Sequence, residues 1–164
     1  MLDHLDRVAY AANSNRINPI ALERFCTHFN YEPMVFEAHD AVGKAIYHTN
    51  VLMCIATDFV LIGLEMITDD VRRQHIIRRF EESGRKVIAL SRAQIAEFAG
   101  NAIELQGEMG RVLALSSRAL RSLASAQLTA IESSATPLPL DVATIEMAGG
   151  SIRCMLAGIH LSRR

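Results

Sequence analysis

Apolar and polar residues alternate along the chain in two recurring rhythms, one strand-like and one helical. Val, Ile, Leu and Phe concentrate in short runs at residues 7–11, 33–38, 50–55, 59–65, 86–90, 102–105, 111–115 and 153–161. Each run is bounded by Asp, Gly, Asn or Ser, which predicts strands. Residues 19–29, 69–83 and 116–133 read as helices. Pro19 after Asn18 suits a first helical turn, and Gly84 stands where a helix stops on glycine.

The spacing of these runs is regular. Val8, Val60 and Val112 recur every 52 residues, as do Asn50, Ala102 and Cys154. Val35 and Val87 are again 52 apart, and one more period reaches the segment 138–140. A fixed period carrying the same strand–strand–helix–strand order is a supersecondary repeat, so the expected fold class is α/β. The expected units are residues 1–46, 47–98 and 99–150, with a closing strand at 151–164. One such unit cannot bury its apolar helix face alone and must lean on its neighbour. Side chains on a strand alternate faces. The repeat therefore predicts that His48, Asn50 and Cys154 lie on equivalent faces of equivalent strands and converge on a common axis.

Composition narrows the function classes. The chain has 164 residues, half of them hydrophobic (50%) and 21% charged, as expected of one globular domain. A formal net charge of −1 gives no electrostatic footprint for nucleic acid or an anionic membrane. Segments 51–55 and 59–64 are far shorter than the ~20 apolar residues of a membrane helix. Charges occupy residues 1–7, where a signal peptide has its apolar segment, so a cytoplasmic location is expected. Cys26, Cys54 and Cys154 form neither a CxxC pair nor a Cys/His set with zinc spacing; no disulfide framework, metal or cofactor is implied.

Three segments hold chemistry. Cys154 follows Gly149 and Gly150, which let the backbone turn sharply, and a cysteine is a nucleophile when ionised. Read locally, a buried structural cysteine is the better explanation, since free cysteine is among the most buried residue types. His48 is suited to accept and return a proton near neutral pH, and a satisfied core or surface histidine is the plain alternative. Ser14 and Arg16 follow the first strand run, where an arginine can hold a carboxylate with two parallel bonds, or simply cap a solvated turn. Asn101 reads as a turn residue that bonds backbone, while Cys26, His28, His39 and His75 read as packing or surface residues. The mixed charges of segment 69–83 describe a solvated helix face.

Tyr47-His48-Thr49-Asn50-Val51-Leu52-Met53-Cys54-Ile55, Phe98-Ala99-Gly100-Asn101 and Gly149-Gly150-Ser151-Ile152-Arg153-Cys154-Met155 together resemble the citrulline-utilisation hydrolase family. That family belongs to the guanidine-modifying, amidinotransferase-like (pentein) superfamily. The resemblance implies an α/β-propeller of five strand–strand–helix–strand units, of which about three are present as the C-terminal part. It implies that Cys154 attacks a guanidino or ureido carbon, that His48 is the acid/base, and that Ser14 and Arg16, with Asn50, bind substrate. Ile17 stands where the family usually has threonine after its Ser-x-Arg. The substrate is expected to be citrulline or a related amino acid, with arginine and agmatine deiminase activity adjacent, no cofactor, no nucleic-acid or membrane partner, and a homo-oligomer left open. Met1 falls just after the family's Glu-Gly-Thr-Gly segment, so the acid beside the histidine is expected outside the chain and the isolated chain inactive. Asp58, Glu104 and Glu146 are not obvious replacements.

Overall fold

The computed structural model describes residues 1–158. β1 (Leu2–Asp3) pairs antiparallel with β2 (Val8–Ala12); the chain crosses over through α1 (Pro19–Phe29) and returns as β3 (Glu32–Phe36), parallel to β2. Asn18 caps α1 by accepting from the Ala21 amide at 3.0 Å, and Asn30 ends it in the left-handed region at φ 56°. After a connecting loop and the one-turn helix α2 (Thr49–Leu52), β4 (Met53–Ile55), β5 (Phe59–Ile62), α3 (Asp70–Glu82) and β6 (Lys86–Ala89) repeat the arrangement. A second short helix, α4 (Arg92–Ala96), leads to the third copy. It comprises β7 (Ile103–Gly107), β8 (Gly110–Ser116), α5 (Ser117–Ser122), α6 (Ser125–Glu132) and β9 (Thr136–Leu140). α7 (Ala143–Glu146) and α8 (Ile152–Met155) follow.

Each copy is a separate three-stranded sheet with the β-hairpin's second strand in the middle. The third strand lies at an edge, which explains how β9 tolerates Pro137 and Pro139, and β3 Pro33: an edge strand need not donate on its outer side. One hydrophobic core runs through all three units, from Val8 and Tyr10 through Leu61 and Phe80 to Leu113 and Ile131. Tyr10 of the first sheet stacks on Phe80 of α3, ring centroids 4.8 Å apart, so the units share their core. The buried Arg85 also joins two units, bonding the Ala56 carbonyl, Asp3 and Asp6.

The 52-residue period survives on the middle strands and drifts elsewhere. Val8, Val60 and Val112 each pair across to a hairpin partner and a third strand, at equivalent places in the three sheets. Val8 and Val60 are fully buried; Val112 is only half-buried, near the exposed hairpin tip at Met109. Val35 and Val87 are not equivalent, because Val35 pairs with Ala11 whereas Val87 pairs with Val60. The connection through α1 therefore shifts register relative to that through α3.

Two predicted strands are corrected. Residues 50–55 begin as α2, and only Met53–Ile55, which find β5 to pair with, are strand. The closing strand expected at 151–164, with its apolar run at 153–161, starts instead as the helical turn Ile152–Met155, where the Cys154 amide donates to the Ser151 carbonyl at 3.0 Å. Residues 159–164 lie outside the described residues. The helix expected at 116–133 is split in two at Leu123 and Ala124, both of which are extended.

Candidate active site

The segments that join the sheets carry the chemistry. None of His48, Asn50 and Cys154 lies on a strand, so the expected strand faces are replaced by two one-turn helices. His48 is the extended residue that opens α2, Asn50 lies within α2, and Cys154 lies within α8. These turns meet. Asn50 Nδ2 lies 3.4 Å from Cys154 Sγ. Backbone geometry enables the approach: Gly149 turns at φ 88° ahead of the cysteine, and the Gly149 carbonyl accepts from the Tyr47 hydroxyl at 3.2 Å. The Tyr47 and His48 rings lie 4.8 Å apart, so one aromatic residue touches both the histidine and the cysteine loop.

Ser14 and Arg16 sit where β2 gives way to α1. The Ser14 hydroxyl donates to the Tyr47 carbonyl at 3.0 Å and accepts from the Arg16 amide at 3.2 Å. The Ala12 amide donates to Thr49 Oγ1 at 3.0 Å, pinning the end of β2 to α2. As a result Ser14, Arg16, His48 and Asn50 border one cavity of about 410 Å³, together with Tyr47 and Arg153. Cys154 is exposed beside it, reached through Asn50. Arg16 makes no ion pair among the described residues, which leaves its guanidinium for an anionic group.

The other two cysteines are buried. Burial, reinforced by the Glu104 carboxylate, pushes the Cys54 thiol up to about 12, and burial also raises Cys26. Cys154 is thus the thiol open to a ligand. The acids are committed elsewhere. Asp58 pairs with Arg111, Glu104 accepts from the Thr57 amide at 3.0 Å, and the buried Glu146 accepts from the Ser151 hydroxyl at 2.8 Å. Among the described residues no carboxylate pairs with His48. No group of residues able to hold a metal ion occurs among them either.

Asn101 does more than the sequence suggested. It bonds backbone, as a turn residue would, but its Nδ2 also lies 3.3 Å from Cys154 Sγ. No sequence signal pointed to this contact, which depends on the close approach at Gly100, where a Cβ would lie 2.6 Å from the Val51 carbonyl oxygen. The period of 52 pointed one residue past it, to Ala102.

The chain is a mixed α/β fold of repeated small sheets whose junctions bring a histidine and an arginine to one cavity and set a cysteine beside it. The family model described as N,N dimethylarginine dimethylhydrolase, eukaryotic, matches residues 1–161, and the chain belongs to that family. No curated protein matches the chain by sequence. Among solved structures it is similar to apo ArgZ, an arginine dihydrolase from the ornithine-ammonia cycle in cyanobacteria, with 14% identity and a TM-score of 0.73 over 94% of this chain and 23% of that one. Unliganded AgrE gives 18% identity and a TM-score of 0.74 over 94% of this chain and 21% of that one. SxtG, an amidinotransferase from Microseira wollei in the saxitoxin biosynthetic pathway, gives 13% and 0.61 over 91% and 41%. These likenesses concern the fold. The chain spans about a fifth to two-fifths of those proteins, and 52% of the isolated N-terminal domain of ArgZ.

Proposed function

We propose that the protein hydrolyses a carbon–nitrogen bond in the guanidino group of an arginine derivative through a covalent cysteine intermediate. The observation that carries this reading is the contact of Asn50 with both the cavity and the Cys154 sulfur, which links an arginine-lined cavity to an exposed thiol. The family's description points to N,N-dimethylarginine; citrulline, arginine and agmatine are the chemically adjacent substrates. In this reading the Cys154 thiolate adds to the planar guanidino carbon, forming a carbon–sulfur bond. His48 protonates the departing dimethylamine as its carbon–nitrogen bond breaks. The histidine then takes a proton from water, the hydroxide adds to the same carbon, and the carbon–sulfur bond breaks to release a ureido amino acid and the free cysteine. Arg16 pairs with the substrate's carboxylate, while Ser14 holds the loop that presents it. No metal or organic cofactor takes part.

The proposed architecture is three consecutive units of a pentein-type propeller, residues 1–46, 47–98 and 99–150. Absence of a carboxylate partner for His48 among the described residues favours a second reading, a homologue without turnover. No helix among the described residues is long and apolar enough to cross a membrane, and a cytoplasmic location is proposed with the activity. The test is release of dimethylamine from N,N-dimethylarginine, or of ammonia from citrulline, arginine and agmatine, by the complete translation product of the gene. Release from at least one, lost in His48→Ala, is expected. A complete product that folds but releases amine from none supports the second reading.

A further inference from the structure

Three segments of the chain meet at one residue that the proposed chemistry does not use. Tyr47 precedes His48, and the two rings lie 4.8 Å apart with their planes inclined at 51°. The Tyr47 carbonyl accepts from the Ser14 hydroxyl at 3.0 Å, across 33 positions of sequence. Its hydroxyl lies 3.2 Å from the Gly149 carbonyl, across 102 positions. A carbonyl only accepts, so the phenol donates. The glycine pair at 149 and 150 lies against the nucleophile: a Cβ on Gly150 would meet the Cys154 Cβ at 3.6 Å and its Sγ at 3.8 Å. Tyr47 thus ties the loop of Ser14 and Arg16, the histidine and the cysteine loop to one another. It also stands between two cavities. One, of about 410 Å³, is bordered by Arg16 and His48; the other, of about 380 Å³, is lined by Ile46, Val51, Phe98 and Gly149. The Tyr47 side chain is 41% exposed and lies outside the core that the three sheets share, so the fold has little to lose when it is cut back.

We propose that Tyr47 is a positioning residue of this site. Its ring limits the swing of the His48 imidazole, and its hydroxyl holds the cysteine loop within reach of that imidazole. The inference rests on the roles proposed above for His48 and Cys154, and adds the residue that sets one against the other. Tyr47 gives up no proton in the reaction and works through its two neighbours. Its leverage comes from geometry: proton transfer needs hydrogen-bond reach, and a misplacement of about 1 Å can cost roughly 100-fold in rate.

The test is the split between kcat and KM in the complete translation product, for the native protein, Tyr47→Phe and Tyr47→Ala, with melting temperature measured alongside. The substrate is whichever of N,N-dimethylarginine, citrulline, arginine and agmatine the native protein turns over fastest. Tyr47→Phe keeps the ring and loses only the bond to Gly149; kcat is expected to fall roughly tenfold while KM stays within about twofold. Tyr47→Ala loses the ring as well, and kcat is expected to fall roughly 100-fold, so phenylalanine restores part of what alanine removes. If Tyr47→Ala fails to fold, Tyr47→Phe decides alone. Folded variants that keep the native kcat, whatever happens to melting temperature or KM, leave Tyr47 a structural tie and overturn the proposal. A native protein that releases nothing from any of the four substrates removes the functional reading and this inference with it. Native turnover that both substitutions leave intact removes the inference alone, so the two failures are distinguishable.

Discussion

Adding one methyl group at Gly100 tests how the candidate site is held together. A Cβ there would lie 2.6 Å from the Val51 carbonyl oxygen, 2.9 Å from the Leu52 carbonyl carbon and 3.0 Å from the Leu52 oxygen. These are backbone atoms of α2 and cannot rotate away, so Gly100→Ala must separate α2 from the segment that carries Asn101. Overpacking of this kind costs roughly 1–3 kcal/mol. At about 2–4 °C per kcal/mol for a chain of this size, thermal unfolding should come roughly 2–12 °C earlier. The same displacement pulls Asn101 off the Asn50 carbonyl and off the Cys154 sulfur, so the rate of Cys154 alkylation should change. Gly84→Ala is the control. Gly84 has φ 81° and open space around it, so its alanine meets only left-handed strain, roughly 1–2 kcal/mol, at the end of α3. It should lower the melting temperature while leaving Cys154 alkylation unchanged. A Gly100→Ala protein with native melting temperature and native alkylation rate would refute the claim that this close approach sets the site.

Other outcomes follow from the same geometry. Arg85→Ala strands the buried Asp3 carboxylate and should cost roughly 3–5 kcal/mol, whereas Arg79→Ala, which breaks a half-exposed pair with Glu32, should cost about 1 kcal/mol or less; urea denaturation distinguishes them. The Cys54 thiol is raised from its ordinary 9.0 to about 12, so its contribution to stability is complete below pH 9 and is lost as pH rises toward 12. Melting temperature in Cys54→Ala should therefore fall less steeply over that range than in the native chain, and an equal slope would contradict the assignment. Arg16→Ala should raise KM roughly 10- to 100-fold with a smaller change in kcat, as loss of a charge-assisted carboxylate contact predicts; steady-state kinetics of the complete translation product would check this.

The sequence made the middle strands legible because their burial repeats residue for residue: Val8 and Val60 occupy the same place in successive sheets. Pro19–Phe29 was legible for a different reason, since Asn18 and Pro19 mark its start. The junctions were not, because a single helical turn has no periodicity to display. Asn50 and Cys154 therefore read as strand residues although they occupy one-turn helices, and the correct juxtaposition emerged from an incorrect local assignment. Asn101 escaped for a geometric reason. It precedes Val112 by one residue more than Asn50 precedes Val60, so a rigid period passes over it. Its contact with sulfur depends on the backbone approach at Gly100, which only coordinates display.

The most direct test of the covalent account is acid quenching of the complete translation product during turnover of N,N-dimethylarginine, followed by mass analysis of its cysteine peptides. The account predicts an amidino adduct on the peptide containing Cys154. Turnover and adduct should both be absent in Cys154→Ser and both be kept in Cys26→Ser and Cys54→Ser. Steady turnover by Cys154→Ser, or an adduct confined to another cysteine, would contradict it.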